Sequence, residues 1–315
     1  MPLTRRALIM LGAATLAAPA LGGCGSSLSG TPLRVATGGA GGVYFTLGSR
    51  LADAWRSELG MTATVRKTNG SVDNLVALHN NTADVAFVAA DAAVPSSTGL
   101  RALARIYDDY IQVLVRADSN IEKLADLSGH PVSIGGVNSG VTVVANNLLK
   151  AAGLPAKSDS YKQQNLHDSL ADLVAGRLDA LFWSGGLPTP DITATLKQQP
   201  DGKLRMLDLS KLDRTSLPYY NVETVPETAY PRLAKGEQPV STLAVHNLLM
   251  VRENMPVDEA EALVRTLFDV QPSLATDSDQ VVSLAAQLID RRAAIETLPI
   301  QLHDGALEYY RSAKV

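Results

Sequence analysis

Between a short apolar run, Leu33-Arg34-Val35-Ala36-Thr37, and a helical pattern opening at Val43 stands a glycine cluster, Gly38-Gly39-Ala40-Gly41-Gly42. Glycines let a ligand approach the main chain closely, and the first N–H groups of a helix have no partner inside it. A strand, a glycine turn and a helix start therefore suit a carboxylate or another small anion. The same layout recurs as Val132-Ser133-Ile134-Gly135-Gly136-Val137-Asn138-Ser139-Gly140. One such turn is a weak signal; two at equivalent places in two half-chains imply a cleft between lobes. Backbone N–H groups at Gly41, Gly42 and Tyr44, and at Ser139, Gly140 and Thr142, are candidates to cap opposite sides of an anion. Tyr44 could stack on a ligand, hydrogen-bond to it, or pack its own helix. Ser71 opens a helical segment with Asp73 in its first turn, the pattern of an N-cap, which is compatible with a ligand-facing Asn74. Asp91 follows an apolar strand, at the end where open α/β sheets bind ligands, and could hold a ligand ammonium or serve as a cap. Trp183 ends the matching strand of the second half, where an indole could wall the cleft, with Gly185, Gly186 and Pro188 shaping the loop beside it.

The elements that would position these residues follow a regular alternation. Apolar runs over 33–36, 62–65, 85–88, 111–115, 132–134, 180–183, 204–207 and 243–251 read as strands buried on both faces. Amphipathic helices separate them. Tyr44, Leu47, Leu51, Trp55 and Leu59 share one face of a helix ending at Gly60, and Val144, Leu148, Leu149 and Ala152 share one ending at Gly153. The alternation is βαβ, which implies parallel sheets with crossover helices. A second echo supports two similar lobes: Leu75-Val76-Ala77-Leu78 leads to Ala83-Asp84-Val85-Ala86-Phe87, and Leu170-Ala171-Asp172-Leu173 leads with identical spacing to Leu178-Asp179-Ala180-Leu181-Phe182. Lobe one is expected over 33–112 and 246–315 and lobe two over 113–245, with hinge strands near 111–115 and 241–251. Helices over 257–270 and 280–293 are expected to return to lobe one. The proline-rich 219–239 reads as an irregular surface excursion. Two Rossmann-like lobes on two hinge strands are the architecture of a protein that closes on a ligand.

The chain begins with a segment of another kind. Arg5 and Arg6 precede an apolar stretch over 7–20, too short to span a bilayer stably, and Leu21-Gly22-Gly23-Cys24 follows. Residues 1–23 read as a signal peptide and Cys24, the only cysteine, as the lipidation site of a bacterial lipoprotein. Thr4-Arg5-Arg6 also fits a twin-arginine export signal. Residues 24–32 read as a flexible tether. The remaining domain is expected outside the cytoplasm, anchored by lipid and without an internal disulfide. Without residues 1–23, which hold two arginines and no acids, the formal charge of −4 becomes −6. An acidic chain with no basic stripe argues against nucleic acid as a partner.

Motifs for chemistry are missing from the sequence. In Gly136-Val137-Asn138-Ser139-Gly140 the serine stands one place late for a nucleophile elbow. Neither glycine turn has the spacing of a phosphate or dinucleotide loop. His79, His130, His167, His246 and His303 show no paired metal spacing and read as surface or turn residues. Asp108-Asp109 reads as a surface-loop pair. No metal, no cofactor and no catalytic residue is expected, and a hydrolase using Ser139 is the different-class alternative.

Several stretches resemble a known family. Thr37-Gly38-Gly39-Ala40-Gly41-Gly42-Val43-Tyr44, Asn69-Gly70-Ser71-Val72-Asp73-Asn74-Leu75, Thr82-Ala83-Asp84-Val85-Ala86-Phe87 with Asp91, Leu124-Ala125-Asp126-Leu127-Ser128-Gly129, Gly135 to Gly140, and Phe182-Trp183-Ser184-Gly185-Gly186-Leu187-Pro188-Thr189-Pro190 are similar to TAXI solute receptors, the binding subunits of one class of TRAP transporters. The resemblance runs from about residue 33 to about residue 270. It implies a type II periplasmic-binding fold, a ligand such as glutamate, glutamine or a related carboxylate, and a TRAP-type permease as partner. Departures at Ala89 and Val141, where the family often carries polar residues, leave fewer polar contacts for glutamate itself and allow a less polar acid. Service to a sensor kinase or an ABC importer is the alternative partnership.

Overall fold

The computed structural model describes residues 28–40, 42–233 and 239–315. The signal segment 1–23, Cys24 and Gly41 lie outside the described residues. In chain order the elements are β1 (Pro32–Ala36), α1 (Val43–Leu59), β2 (Thr62–Arg66), α2 (Ser71–His79), β3 (Val85–Ala89), the short α3 (Ala90–Ala93), β4 (Leu100–Arg116), β5 (Val132–Ser133), α4 (Gly140–Ala151), β6 (Tyr161–Lys162), α5 (Leu166–Val174), β7 (Ala180–Gly185), α6 (Pro190–Lys197), β8 (Leu204–Met206), β9 (Tyr220–Val225), β10 (Val240–Arg252), α7 (Val257–Leu274), α8 (Gln280–Gln287) and α9 (Asp304–Ser312).

The strands form one sheet in the order β2-β1-β3-β10-β4-β7-β5-β6, with β8 on β4 and β9 on β10. Each half has the same internal order. β2-β1-β3 and β6-β5-β7 are parallel triplets, and each is completed by an antiparallel long strand, β10 on β3 and β4 on β7. β4 and β10 then pair with each other from Leu100↔Arg252 to Tyr110↔Ala244. The sequence echo is thus a structural repeat, β1-α1-β2-α2-β3 answered by β5-α4-β6-α5-β7. Its acidic positions match as well. Asp84, just before β3, lies 3.0 Å from Arg252 at the end of β10, and Asp179, just before β7, lies 2.9 Å from Arg116 at the end of β4. Their own N–H groups donate to Arg34 O and Pro131 O, both at 2.8 Å.

Packing divides the two sheet faces. On one, a continuous core runs from Leu78 and Val88 through Ile111 and Val113 to Leu148 and Phe182. On the other there are two separate cores. Leu47, Leu51 and Trp55 of α1 pack with Leu263 and Leu267 of α7, Val282 of α8 and Tyr309 of α9. Leu114, Leu170, Leu181, Ile192 and Val240 form the second. The C-terminal helices return to α1, as their apolar spacing requires.

Three expectations are corrected. The first crossing strand starts at Leu100, eleven residues before the apolar run that announces it, because charged residues at 101, 105, 108 and 109 interrupt its first half. The excursion over 219–239 contains β9, paired along β10, and Tyr220 and Tyr230 are buried in it. The tether expected over 24–32 is docked by its end: Gly30 N donates to Gly60 O at 2.8 Å and Leu28 packs against the α1 core.

Gly48 sets how closely α1 approaches the sheet. A β-carbon there would stand 2.5 Å from Thr37 Cγ2 and 3.0 Å from Phe87 Cε2, both on buried residues. Gly48→Ala gains about 1 kcal/mol of helix propensity but overpacks a closed contact at about 1–3 kcal/mol. A lower urea midpoint at unchanged slope is the expected result.

Candidate functional site

Where the two separate cores end, a cleft of about 690 Å³ opens between the halves. Val43 and Tyr44 flank one core and Trp183 and Leu187 the other, and all four line the cleft. Both glycine turns reach it. They close alike: Gly42 N donates to Gly39 O and Ser139 N to Gly136 O, each at 3.2 Å. The Gly42 and Ser139 amides are thereby used, and Thr142 N is taken by Ser139 Oγ at 3.3 Å. The first-turn amides left for a ligand are those of Val43 and Tyr44 on α1 and of Gly140 and Val141 on α4, and neither helix has an acid in its first turn. Gly135 takes φ of 88°, and a β-carbon there would meet Val141 Cβ at 2.6 Å, so the second turn demands glycine at that point.

The other candidates are placed unequally. Ser71 is the first residue of α2, not its cap; Gly70 stands at the cap, and Ser71 Oγ accepts from Ala89 N at 3.0 Å and lies 3.4 Å from the Tyr44 hydroxyl. Asn74 does not line the cleft. Its amide nitrogen donates to Thr37 O at 2.6 Å and Phe87 O at 2.7 Å, and its oxygen accepts from Thr68 Oγ1, so it braces β1 against β3 from behind the wall. Thr142 also lies outside the lining; its hydroxyl donates to Gly136 O at 2.7 Å. Ser139 lines the cleft, but its Oγ is engaged by the Thr142 amide and hydroxyl and meets no histidine. Trp183 lines it with its indole N–H held by Thr189 Oγ1 at 3.0 Å. That threonine also donates to Gly186 O at 2.7 Å, and its N–H reaches the hydroxyl of Tyr230, which donates to Gln112 Oε1 at 2.6 Å. A buried network thus fixes the loop carrying Gly186 and Pro188, both of which line the cleft.

Asp91 is not in the lining either. It accepts from the Tyr220 hydroxyl at 2.6 Å, and that hydroxyl accepts from Asn147 Nδ2 at 3.0 Å. The bond links α3 of the first half to β9 and α4 of the second. Burial pushes the Asp91 carboxyl up to about 6, with the Tyr220 bond acting against it.

The residue that sequence reasoning missed is Asp109. It lies on β4 opposite Val245, where the long strands cross, and it lines the cleft while only 8% exposed. Burial lifts its carboxyl to about 7; Asn247 acts against this, and the charges of Asp108 and Asp91 add to it. Asp108 belongs to a different environment. Burial opposes its ionisation too, but the His246 ring at 2.8 Å and the Arg105 guanidinium at 2.9 Å hold it below the ordinary range. The two adjacent acids are therefore no surface-loop pair. Two histidines are corrected with them: His246 is bonded to Asp108, and His303 is buried, accepting from Gly305 N at the start of α9. Among the described residues no group of His, Cys, Asp and Glu side chains is placed to hold a metal ion, and no helix is long and apolar enough to cross a membrane.

The sequence pattern of the NMT1-like family matches residues 35–313. The chain belongs to the NMT1-like family. Solved structures similar to this NMT1-like chain include a Xanthomonas citri protein bound to chloride ion, 14% identical, covering 90% of this chain and 99% of that one at a TM-score of 0.53. A periplasmic transporter is 16% identical over 90% of this chain and 93% of its own, with a TM-score of 0.50. A mutant of ArgBP from T. maritima is 14% identical over 82% and 94%, with a TM-score of 0.51. Identities this low show a shared fold, the type II periplasmic-binding fold of two α/β lobes.

The raised carboxyl of Asp109 has a consequence for stability. Its folded-state value, about 7, stands above the ordinary 3.8, so the folded protein binds the extra proton between pH about 4 and 7. Stability from this group is present below pH 4 and lost as pH rises through 7. In ligand-free NMT1-like protein at pH 8, Asp109→Asn is therefore expected to raise stability by about 1–3 kcal/mol. Its denaturation midpoint should also vary less between pH 4 and 8 than that of the wild type.

Proposed function

We propose that this NMT1-like chain is an extracytoplasmic solute-binding protein that captures a small carboxylate between its lobes and delivers it to a TRAP-type secondary transporter. The observation that carries the reading is the meeting of two glycine-turn helix N-termini, one from each half, on one cleft. The apolar share of the wall, with Val43, Val141, Phe182, Trp183 and Leu187, suits a ligand with a hydrocarbon body. The TAXI-like stretches support the TRAP partnership. The lipobox-like Leu21-Gly22-Gly23-Cys24 and the Arg5-Arg6 start support export, by the twin-arginine route or otherwise, and a lipid anchor. The proposed lobes are 33–112 with 246–315, and 113–245.

Closure supplies the selectivity. The Tyr220–Asp91 bond spans the halves, and Val43 approaches Gly186 across the cleft mouth. A ligand that meets α1 and α4 together favours the closed arrangement by its differential affinity for it.

Mass spectrometry of the freshly purified protein, followed by thermal shift with a panel of organic acids and amino acids, tests the reading. A copurifying small molecule that raises the melting temperature without being turned over supports it; no ligand and no shift across the panel sinks it. Tyr220→Phe removes the bond between the halves and should weaken that ligand about 3- to 10-fold, measured by calorimetry. Unchanged affinity would show that the Tyr220 bond does not contribute to closure.

A further inference from the structure

Asp109 is left unexplained by the capture of an anion. A carboxylate on the cleft floor opposes a negative ligand, and a buried acid without a counter-charge is costly to keep ionised. The cations near it are turned elsewhere: Arg105 and His246 are both bonded to Asp108. The charges that act on Asp109, from Asp108 on its own strand and from Asp91 on α3, are acidic. Tyr107 of β4 and Tyr44 of α1 feel its charge and are kept neutral by burial. Two neutral groups stand at the carboxyl itself, Asn247 of β10 and Ser184 of β7. The Asn247 oxygen accepts from the Tyr44 hydroxyl, and neither its amide nitrogen nor the Ser184 hydroxyl is bonded elsewhere. This pair suits a carboxyl in either state. An amide N–H donates to a carboxylate or to the carbonyl of the acid, and a hydroxyl donates to the first or accepts from the second. Acids that only brace this fold are instead fixed as anions by arginines, as Asp84 and Asp179 are. The anion seat is one tyrosine away: the main-chain N–H of Tyr44 is a free first-turn amide of α1, and its hydroxyl reaches Asn247 beside Asp109.

We propose that Asp109 is a proton site of the cleft: the solute carboxylate binds at the N-termini of α1 and α4 together with a proton on Asp109. The solute anion and an ionised Asp109 oppose one another, so the proton that neutralises one makes room for the other. The assignment rests on the solute-binding reading and adds proton uptake to capture. Among the described lining residues the cationic side chains are Lys197 and, when protonated, His167, both exposed, so no buried base takes the place of that proton. At an effective dielectric of about 20, two like charges roughly 10 Å apart cost about 10-fold in affinity. By linkage, the bound anion strengthens the hold of Asp109 on its proton by the same factor. Burial sets the free carboxyl at about 7, so affinity for a carboxylate is highest below pH 7 and falls above it.

The test measures binding of butyrate, caproate and benzoate by calorimetry between pH 7 and 9, in buffers of different ionisation enthalpy so that protons taken up are counted. These acids are fully ionised over that range and carry no amine, so a pH dependence belongs to the protein. The wild type should lose about 5- to 10-fold in affinity from pH 7 to 9 and take up about half a proton per molecule bound near pH 7.5. Asp109→Asn, a neutral stand-in for the acid, should bind with equal affinity across the range and take up no proton, while His167→Gln should keep the wild-type slope. Affinity independent of pH with no proton taken up, or a slope that survives Asp109→Asn and vanishes in His167→Gln, overturns the proton site and leaves the receptor standing. So does binding of L-norleucine where butyrate, caproate and benzoate do not bind, since a solute with its own cation needs no proton. No binding by any of these compounds at any pH overturns the receptor reading and this assignment together. The proton count in the wild type decides the matter even where the variant does not fold.

Discussion

Everything in this fold depends on the pairing of β4 with β10. Each of these strands completes the half that the other belongs to by sequence, so neither half has a finished sheet until both long strands are in place. Arg252 and Arg116 pin the far ends of the two strands to Asp84 and Asp179. Between those pins the strands pass from one half to the other, and the shared core lies on one face only. The opposite face holds two cores that do not merge. Bending at the crossing can therefore widen the cleft without breaking either core, which is how a hinge closure is built from packed elements.

Much of this frame was legible in the sequence, for physical reasons that can be named. The buried strands are nearly continuous apolar runs because helices cover both faces, and the helices carry their apolar residues at helical spacing. The glycine turns recur because the same strand–helix junction is built twice, down to the same closing hydrogen bond. The illegible parts are those where distant residues supply the neutralisation. The first half of β4 contains Arg101, Arg105, Asp108 and Asp109, and periodicity gives no sign that Glu253, Glu296 and His246 wait to pair with three of them. Asp109 looked like its neighbour because burial is a property of the sheet crossing, not of the dipeptide. Asn74 and Ser71 show the reverse error: residues in a ligand-like motif whose polar atoms are largely taken up by main-chain groups of β1, β3 and Ala89.

The electrostatics of the cleft follow from the same topology. The N-termini of α1 and α4, which follow the middle strand of each triplet, open on the cleft with their partial positive charge. The crossing strands bring Asp109 to the floor, and Asp91 stands behind it with its bond to Tyr220. Both carboxyls are held above their ordinary range chiefly by burial, Asp91 to about 6 and Asp109 to about 7. One cleft thus brings together helix N-termini from both halves and a buried carboxyl of the strand crossing.

The strand crossing has a part in the proposed closure as well. Asp109 lies on β4 between β10 and β7, at the point where β4 leaves one partner for the other. A solute touching only the N-terminus of α1 has equal affinity for open and closed forms and shifts nothing, however tightly it binds. In the proposed reading, a solute that meets α1 and α4 at once has its full set of partners only when the halves approach, and its binding free energy then favours the closed form. In the proposed solute-binding reading, the strand pairing that completes both sheets is also the element through which a small ligand moves two lobes.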